Sequence, residues 1–362
     1  MTKTTEVPTP DKKQARKKSV KREILELLFI ALVLVPLINM FLLQSYAIPT
    51  SSMEGTMLVG DKLFVSKLSF GPRVPMTPLA IPYVHNSIFG MPSFTTLLSL
   101  PYKRLPGFGS VKRGDIVVFN YPPEVDKDIP VDKRTNYVKR CVAQGGDTLQ
   151  VIDGQVYIQG KPSENKPGFQ HAYMVRASSP FNPKVKEKMG ISEVFQGNEV
   201  GTYIMMLSDA TAAELKKMAN VDTIYKAVRQ KGEADPRVFP FDSKLDWNID
   251  NYGPIYLPKK GDKIVLTEAN FSIYETAIKK YENNPNLEWK NGQAFINGQA
   301  ISAYEFKMTY YFMMGDNRHN SEDSRYWGFV PEDHVVGKPV FVWLSSNPFF
   351  NIRWNKSMRT VE

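Results

Sequence analysis

The sequence predicts a mainly β protein that is anchored in a membrane by one N-terminal helix and carries a large α+β insertion. An apolar run near the N-terminus has about the 20 residues that a membrane-spanning helix needs. Short β-like segments bounded by turn residues occupy residues 45–160 and return in residues 289–345. The stretch between them, residues 161–288, contains helical periodicity and predicts the insertion.

The first 23 residues predict how the chain is oriented in the membrane. They hold eight Lys or Arg residues against three acidic ones, and the anchor helix follows at residues 24–44. A cleavable signal peptide is the alternative, but the apolar run is too long for one and no small-residue cleavage site follows promptly. The positive-inside rule keeps the head, residues 1–23, in the cytoplasm and places everything after the anchor on the far side.

Charge and cysteine content exclude several classes of protein. The net charge is +9, but the excess is concentrated in the head, which favours an anionic lipid bilayer as partner and argues against nucleic acid. Cys141 is the single cysteine, so neither an intrachain disulfide nor a cysteine-based zinc site is expected. The four histidines are scattered along the chain and do not predict a metal site.

The chain after the anchor begins with β-like segments. Residues 61–70 (DKLFVSKLSF) alternate polar and apolar side chains, as a half-buried strand does. Further strands are predicted at residues 116–119 and 137–142, and a hairpin at residues 149–160 turns at Asp153-Gly154.

Residues 71–110 are rich in proline and aromatic residues and allow two interpretations. They could form an irregular connection packed on the core. They could also form an apolar hairpin that dips into the bilayer beside the anchor, since exposed apolar patches usually mark interaction surfaces. The sequence leaves both open.

The insertion and the end of the chain complete the predicted order of elements. A capping box at residues 211–214 predicts a short helix to about Ala219, and nothing in residues 161–288 predicts chemistry. A later helix, a second hairpin at residues 291–298, strands from Tyr310 through Leu344 and a C-terminal tail at residues 346–362 follow. The later helix has apolar residues at 3.6-residue spacing, namely Phe271, Tyr274, Ile278 and Tyr281, and ends at residues 283–285.

Ser52 and Lys139 are the residues that predict chemistry. Ser52 lies in a hydroxyl-rich turn directly after the anchor, and Lys139 lies in the strand predicted at residues 137–142. Alternation along that strand forces one of Lys139 and Arg140 inward. Burial disfavours the ammonium and lowers the pKa of a lysine, whereas an arginine cannot lose its charge in this way. The inward residue should therefore be Lys139, as a neutral base for the Ser52 hydroxyl.

Residues 315–331 (GDNRHNSEDSRYWGFVP) form a third segment, dense in short hydrogen-bonding side chains that suit the support of a site. His319 is a competing candidate for the base. No buried carboxylate is evident to orient it, so Lys139 is preferred over a Ser-His-Asp arrangement.

Together these segments resemble the type I signal (leader) peptidases, membrane-bound serine proteases with a Ser-Lys dyad. The resemblance covers residues 24–160 and 290–345 in order and leaves the insertion uncovered. The family motif Ser-Gly-Ser-Met-x-Pro-Thr-Leu is matched by residues 50–57, where Thr50 and Ser51 replace Ser-Gly and Gly55 replaces proline. His319 stands where an aspartate is common.

The resemblance implies a coiled, β-rich catalytic fold without metal or organic cofactor. It implies that Ser52 is the nucleophile and Lys139 the general base, with the Thr50 hydroxyl and the Ser52 N–H as the oxyanion hole. Ser321 would orient the lysine. The other implied residues are the supporting ion pair of Asp323 and Arg325 and a shallow apolar substrate pocket formed by Tyr46, Ile48, Met57, Leu63 and Val138.

The expected function is removal of signal peptides from exported preproteins on the outer side of the cytoplasmic membrane of a bacterium. The expected partners are preproteins, the lipid bilayer and, as a further candidate, the protein-export machinery. One alternative is a self-cleaving Ser-Lys repressor, which should be soluble and carry a DNA-binding module. Another is a membrane-anchored, inactive relative that acts as a binding or adaptor protein. The complete set of Ser52, Lys139 and Ser321 argues against inactivity.

Overall fold

The computed structural model describes residues 19–347 and 351–361, so most of the predicted basic head lies outside the described residues. The apolar run forms one continuous helix, Val20–Phe41, in which no residue is buried and whose most apolar 18 residues have a mean hydropathy of 2.5. A π-helical turn, Ile30–Leu34, lies within it. The predicted anchor reached residue 44. The helix ends earlier because Leu43 and Gln44 begin the first strand, where they pair with Ser66 and Val65.

The domain that follows is mainly β, which confirms the predicted fold class. Its strands, in chain order, are β1 Leu43–Ala47, β2 Asp61–Ser66, β3 Ser87–Ile88, β4 Met91–Pro92, β5 Ile116–Asn120, β6 Asn136–Gln144, β7 Thr148–Ile152, β8 Gln155–Ile158, β9 Lys161–Pro162, β10 Gln170–Ala177, β11 Val194–Gln196, β12 Thr202–Ser208, β13 Val221–Lys226, β14 Tyr252–Tyr256, β15 Lys263–Val265, β16 Leu287–Lys290, β17 Gln293–Ile296, β18 Gln299–Ile301, β19 Ala303–Glu305, β20 Tyr310–Met314, β21 Val330–Pro331, β22 Val335–Ser345 and β23 Arg359–Thr360. The α-helices after the anchor are Pro183–Lys188, Asp209–Leu215, Glu268–Thr276, which continues as a π-helical turn, and Ser324–Trp327.

The largest sheet joins strands from both ends of the chain. Its order is β1-β2-β22-β5-β6-β20-β21, and β23 pairs with β22. All of these pairs are antiparallel. Because β6 lies between β5 and β20, the strand that carries Lys139 is adjacent to the strand that leads into residues 315–325. The sheet therefore brings the three sequence segments with predicted chemistry to one place.

Among the pieces of structure that the predicted insertion forms, two adjoin the elements described above. One is a four-stranded sheet of order β11-β12-β10-β13, here called the second lobe. The lobe has its own apolar core, in which Val175, Met205, Leu207 and Leu215 are buried. The other piece is β14, which pairs with β7 and so joins the hairpin of residues 149–160.

Local sequence patterns predicted the turns better than the helix starts. Asp153 and Gly154 both have positive φ, +48° and +78°, as the predicted hairpin turn between β7 and β8 requires. The capping box predicted at residues 211–214 is wrong. The helix begins at Asp209, and its N-cap is Ser208, whose hydroxyl accepts from the Thr211 N–H at 3.1 Å. Ser208, the last residue of β12, is the N-cap because its hydroxyl accepts from the Thr211 N–H, and Thr211 therefore lies inside the helix.

Residues 71–110 are largely irregular, with one short hairpin formed by β3 and β4. The Tyr83 hydroxyl donates to the Ala31 carbonyl of the anchor helix. Large apolar side chains point outward, among them Phe89 at 94% and Leu97 at 91% exposure. Arg73 and Arg104 of this segment are hydrogen-bonded to the catalytic domain, at Asn120 and at the Glu332 and Val335 carbonyls. The segment thus combines a connection packed on the core with an exposed apolar part beside the anchor, and insertion of that part into the bilayer stays a prediction.

Candidate active site

Ser52 lies in a short turn between β1 and β2, here called the serine loop, residues 50–57. Ser51–Met53 form one turn of 3₁₀ helix, and Ser52 itself is 8% exposed. Met53 and Met57 are fully buried in the apolar cluster beneath the loop. These two side chains, which both follow Ser52 in sequence, fix the loop on the core and so help to hold Ser52 in the cleft that it lines.

Lys139 reaches Ser52 from the middle of β6. Its Nζ is hydrogen-bonded to Ser52 Oγ at 2.7 Å and donates to the Val138 carbonyl at 3.1 Å. Only 3% of Lys139 is exposed. Burial lowers the pKa of Lys139 to about 8, and the carboxylates of Asp323 and Glu322 oppose this shift only in part. A substantial fraction of the amine is therefore neutral at mildly alkaline pH.

Arg140, the neighbour of Lys139, is also buried, and this corrects the sequence argument. Alternation predicted that only one of the two would point inward, yet Arg140 too is 3% exposed. Both faces of β6 are covered here, by the serine loop on the Lys139 side and by Phe169 on the Arg140 side, and Arg140 forms a bidentate ion pair with Asp316, at 2.8 Å and 2.7 Å. Thr56 of the serine loop donates to the same carboxylate at 2.6 Å. Arg140 is thus paired with a carboxylate although it is buried.

Thr50 and Gly315 lie on either side of Ser52. The hydroxyl of Thr50, one of the two predicted oxyanion donors, is 3.4 Å from Ser52 Oγ. A Cβ added to Gly315 would lie 2.5 Å from the Ser52 carbonyl oxygen and 2.2 Å from Ser321 Oγ. Only glycine allows residues 315–325 to approach the serine loop this closely, and the Asn317 N–H then donates to the Ser52 carbonyl at 3.1 Å.

Of the predicted supporting residues, Asp323 and Arg325 form the expected ion pair, whereas Ser321, in the part of the chain that the structure describes, forms no hydrogen bond to Lys139. Asp323 accepts from Arg325 at 2.9 Å and 2.8 Å and from the Gly315 N–H at 3.1 Å. Burial alone would raise the pKa of Asp323, but the ion pair with Arg325 lowers it below its usual value. Ser321 packs against Gly315, and within the described residues its Oγ has no hydrogen-bond partner, so no bond to Lys139 is formed.

His319 has a buried carboxylate beside it, contrary to the sequence analysis. Its Nε2 lies 3.0 Å from Asp250 Oδ1, and the Asp250 side chain is 1% exposed. The expectation that no such partner exists is wrong, because Asp250 lies far away in sequence, within the predicted insertion. His319 nevertheless does not line the cleft that contains Ser52, whereas Lys139 does.

The cleft at Ser52 has a volume of about 460 Å³. Four of the five predicted pocket residues line it, namely Tyr46, Ile48, Leu63 and Val138. The fifth, Met57, lies in the core below. Sequence analysis missed other lining residues, among them Val118 in β5, Thr135 just before β6, Asn136 and Tyr137 in β6, and Asn320 and Glu322 in residues 315–325. The spacing of β6 could have indicated Tyr137, which shares the face of Lys139.

Comparison with known proteins identifies the family. A sequence model of the family described as signal peptidase, peptidase S26, matches residues 21–212 and 258–344, more than half of the chain. The chain belongs to this family. The match confirms the resemblance seen in the sequence, but it also includes residues 161–212 and 258–288, which were expected to be uncovered.

Individual relatives of this signal peptidase family member are similar along most of their length. Signal peptidase I of Helicobacter pylori strain J99 is 26% identical over 345 residues, which cover 91% of this chain and 90% of the relative. Signal peptidase I of Buchnera aphidicola from Schizaphis graminum is 28% identical over 88% of this chain and 73% of its own. That of Aquifex aeolicus is 24% identical over 90% and 85%.

Family membership places the protein among the peptidases, a class of hydrolases, and together with the apolar helix it suggests a membrane-anchored protein. Among the residues that the structure describes, no group of three His, Cys, Asp or Glu side chains could hold a metal ion.

Proposed function

We propose that this protein is a membrane-bound serine endopeptidase that removes signal peptides from exported preproteins, with Ser52 as nucleophile and Lys139 as general base. The observation that carries the proposal is the 2.7 Å contact between Lys139 Nζ and Ser52 Oγ at the floor of the cleft. A lysine with a lowered pKa beside a serine hydroxyl is a known variant of triad chemistry.

The reaction is acyl transfer to water. Neutral Lys139 takes the proton of Ser52, whose Oγ attacks the scissile carbonyl carbon and forms the tetrahedral intermediate. The protonated Lys139 then gives its proton to the leaving amine of the mature protein as the C–N bond breaks. In the second half, Lys139 takes a proton from water and the hydroxide attacks the carbonyl carbon of the acyl-enzyme. The ester bond to Ser52 Oγ then breaks, Oγ takes the proton back from Lys139, and the cleaved signal peptide leaves with a C-terminal carboxyl group.

The oxyanion that forms on the carbonyl needs donors, and Thr50 is the side chain in position to supply one. Its hydroxyl lies 3.4 Å from Ser52 Oγ, and the Ser52 N–H is the second proposed donor. Removal of one oxyanion donor typically costs about 3–4 kcal/mol of transition-state stabilisation. The conservative replacement of the family serine by Thr50 keeps the hydroxyl that this role requires.

The shape and chemistry of the cleft support a preference for small apolar residues before the scissile bond. Tyr46, Ile48, Leu63 and Val138 give it apolar walls next to Ser52. Signal peptides end in a small-residue, A-x-A-like sequence, and such side chains fit a shallow apolar cleft. Substrate specificity is therefore proposed to come from the exclusion of large residues.

The proposed location is the cytoplasmic membrane of a bacterium, with the head inside and the cleft outside. The apolar helix Val20–Phe41 is long enough to span the bilayer, and eight cations precede Ile24. The serine loop begins only a few residues after the helix, beyond β1. Ser52 is therefore proposed to work near the membrane surface, where an anchored preprotein presents its cleavage site.

Cleavage of a preprotein by the detergent-solubilised full chain tests the proposal. Ser52→Ala and Lys139→Ala should each abolish cleavage, and the double variant should be no worse than either, because the two residues act as one unit. His319→Ala is the control for the competing base and should slow the reaction far less. Substantial activity in Lys139→Ala would contradict the mechanism, and no cleavage by the wild-type chain would favour the inactive relative.

A further inference from the structure

The second lobe contacts the serine loop through Glu193, which directly precedes β11. Glu193 Oε1 accepts from the Ser51 hydroxyl at 2.5 Å. Its Oε2 accepts from the side-chain amide of Asn320 at 2.5 Å and from that of Asn317 at 3.2 Å. One carboxylate of the second lobe therefore joins two loops of the catalytic domain, the serine loop and residues 315–325.

The two joined loops are those that carry the chemistry. Ser51 directly precedes Ser52, and Ser51 and Asn320 both line the cleft. Asn320 directly precedes Ser321 and also donates to the Ser51 hydroxyl at 3.2 Å. A carboxylate that only stabilised the fold could form its hydrogen bonds at any place on the surface. Glu193 instead binds the immediate sequence neighbours of the nucleophile and of Ser321.

Backbone contacts bring the second lobe close enough for this interaction. Gly55 has a φ of +99°, and a Cβ added there would lie 1.9 Å from the Gly168 carbonyl oxygen. The Gln170 N–H donates to the Asp316 carbonyl at 2.9 Å, and the Arg318 N–H donates to the Gln170 carbonyl at 2.8 Å. The lobe is thus fixed to both loops independently of Glu193. Removal of the Glu193 side chain should therefore leave the lobe packed against the serine loop and residues 315–325.

We propose that Glu193 is a positioning residue for the proteolytic reaction. It holds Ser51 against Asn317 and Asn320, and so keeps Ser52 Oγ within hydrogen-bonding distance of Lys139 Nζ. The inference rests on the function proposed above. It also gives the second lobe, for which the sequence predicted no chemistry, a part in the reaction. In the part of the chain that the structure describes, the Glu193 carboxylate is hydrogen-bonded to neither Ser52 nor Lys139, so its effect is on geometry.

The geometry predicts different effects for two substitutions. Glu193→Ala leaves the Ser51 hydroxyl and both amides without their acceptor, which frees the serine loop to move. Glu193→Gln keeps one carbonyl oxygen for the two amides and turns its NH₂ toward Ser51, whose hydroxyl can accept as well as donate. Glutamine should therefore preserve the junction that alanine removes.

The experiment measures kcat and KM of the full-length chain in detergent micelles with a preprotein substrate. Glu193→Ala should lower kcat by about 10-fold to 100-fold with KM nearly unchanged, because a shift of about 1 Å in a reacting group has an effect of this size. Glu193→Gln should stay within about threefold of wild type, since its hydrogen bonds persist. Glu199→Ala is the matched control, since Glu199 lies in the same lobe with its side chain 71% exposed, and it should behave as wild type.

Several results would overturn the inference. An unchanged kcat in Glu193→Ala would do so, as would a raised KM with unchanged kcat, which would indicate contact with substrate. A Glu193→Gln variant as impaired as the alanine variant would also do so. Should Glu193→Ala fail to fold, Ser51→Ala removes the other partner and should lower kcat in the same way. Wild type that does not cleave would refute the proposed function, whereas active wild type with undiminished Glu193→Ala would refute this inference alone.

Discussion

Replacing Lys139 by methionine should inactivate the protein and stabilise its fold at neutral pH. Methionine has nearly the length of lysine and no charge, so it fills the same buried position. Lys139 is 3% exposed, and burial lowers its pKa because the ammonium is poorly solvated there. The wild-type fold thus carries a penalty for holding this charge, and the Lys139→Met variant does not.

The size and the sign of the effect follow from the pKa values. The pKa falls from 10.5 to about 8 on folding, and at 1.36 kcal/mol per unit this corresponds to about 3 kcal/mol. Because the folded value lies below the unfolded one, the penalty is complete below about pH 8. It declines as pH rises from there to 10.5 and is absent above that value. The lost contact with Ser52 Oγ makes about 3 kcal/mol an upper limit.

Thermal unfolding of wild type and Lys139→Met across this pH range is the assay. The variant should unfold at a temperature several degrees higher at pH 7, and the difference should shrink toward pH 11. Lys217→Met, at an exposed position, controls for the loss of a lysine as such. In wild type, kcat/KM should rise through an apparent pKa of about 8. A Lys139→Met variant that is equally or less stable at every pH would refute the neutral-base argument.

Two further predictions concern topology and the serine loop. Protease outside spheroplasts should digest the chain after residue 43 and spare the head, since eight cations precede the anchor; protection of residues 161–288 would contradict the topology. Gly55→Ala should lower activity and stability more than Gly261→Ala. Both glycines have positive φ, but only at Gly55 would an added Cβ meet another atom within 4 Å. Equal losses, measured by preprotein cleavage and thermal unfolding, would show that Gly168 does not constrain the loop.

Features that depend on neighbouring residues could be predicted from the sequence. The apolar helix, the Asp153-Gly154 hairpin and the helix at Glu268–Thr276 each follow from a local pattern. Ser52 and Lys139 are far apart in sequence, yet each was recognisable from its own segment, one by its turn and the other by its strand. Their proximity, at 2.7 Å, is consistent with the pairing that those segments suggested.

Contacts between distant segments could not be predicted in this way. Arg140 finds Asp316 at a sequence separation of 176 residues, and Glu193 reaches Ser51 at a separation of 142. Nothing in the local pattern around Glu193 distinguishes it from a solvated glutamate. Asp250 beside His319 was missed for the same reason. Arg140 meets Asp316 because β20 pairs with β6, whereas Glu193 comes from the second lobe and Asp250 from the residues just before β14.

The contrast between Lys139 and Arg140 explains how the site obtains a neutral amine. Both cations are buried in adjacent positions of β6, and two buried carboxylates lie nearby. Arg140 binds Asp316 through two hydrogen bonds, and Arg325 binds Asp323 likewise. Planar guanidinium groups suit this bidentate pairing better than an ammonium does. With both carboxylates paired to arginines, no described carboxylate lies within salt-bridge distance of Lys139, and burial lowers its pKa although Asp323, Glu322 and Asp316 oppose the shift in part. This pairing of the arginines is what the proposed role of Lys139 as a base requires.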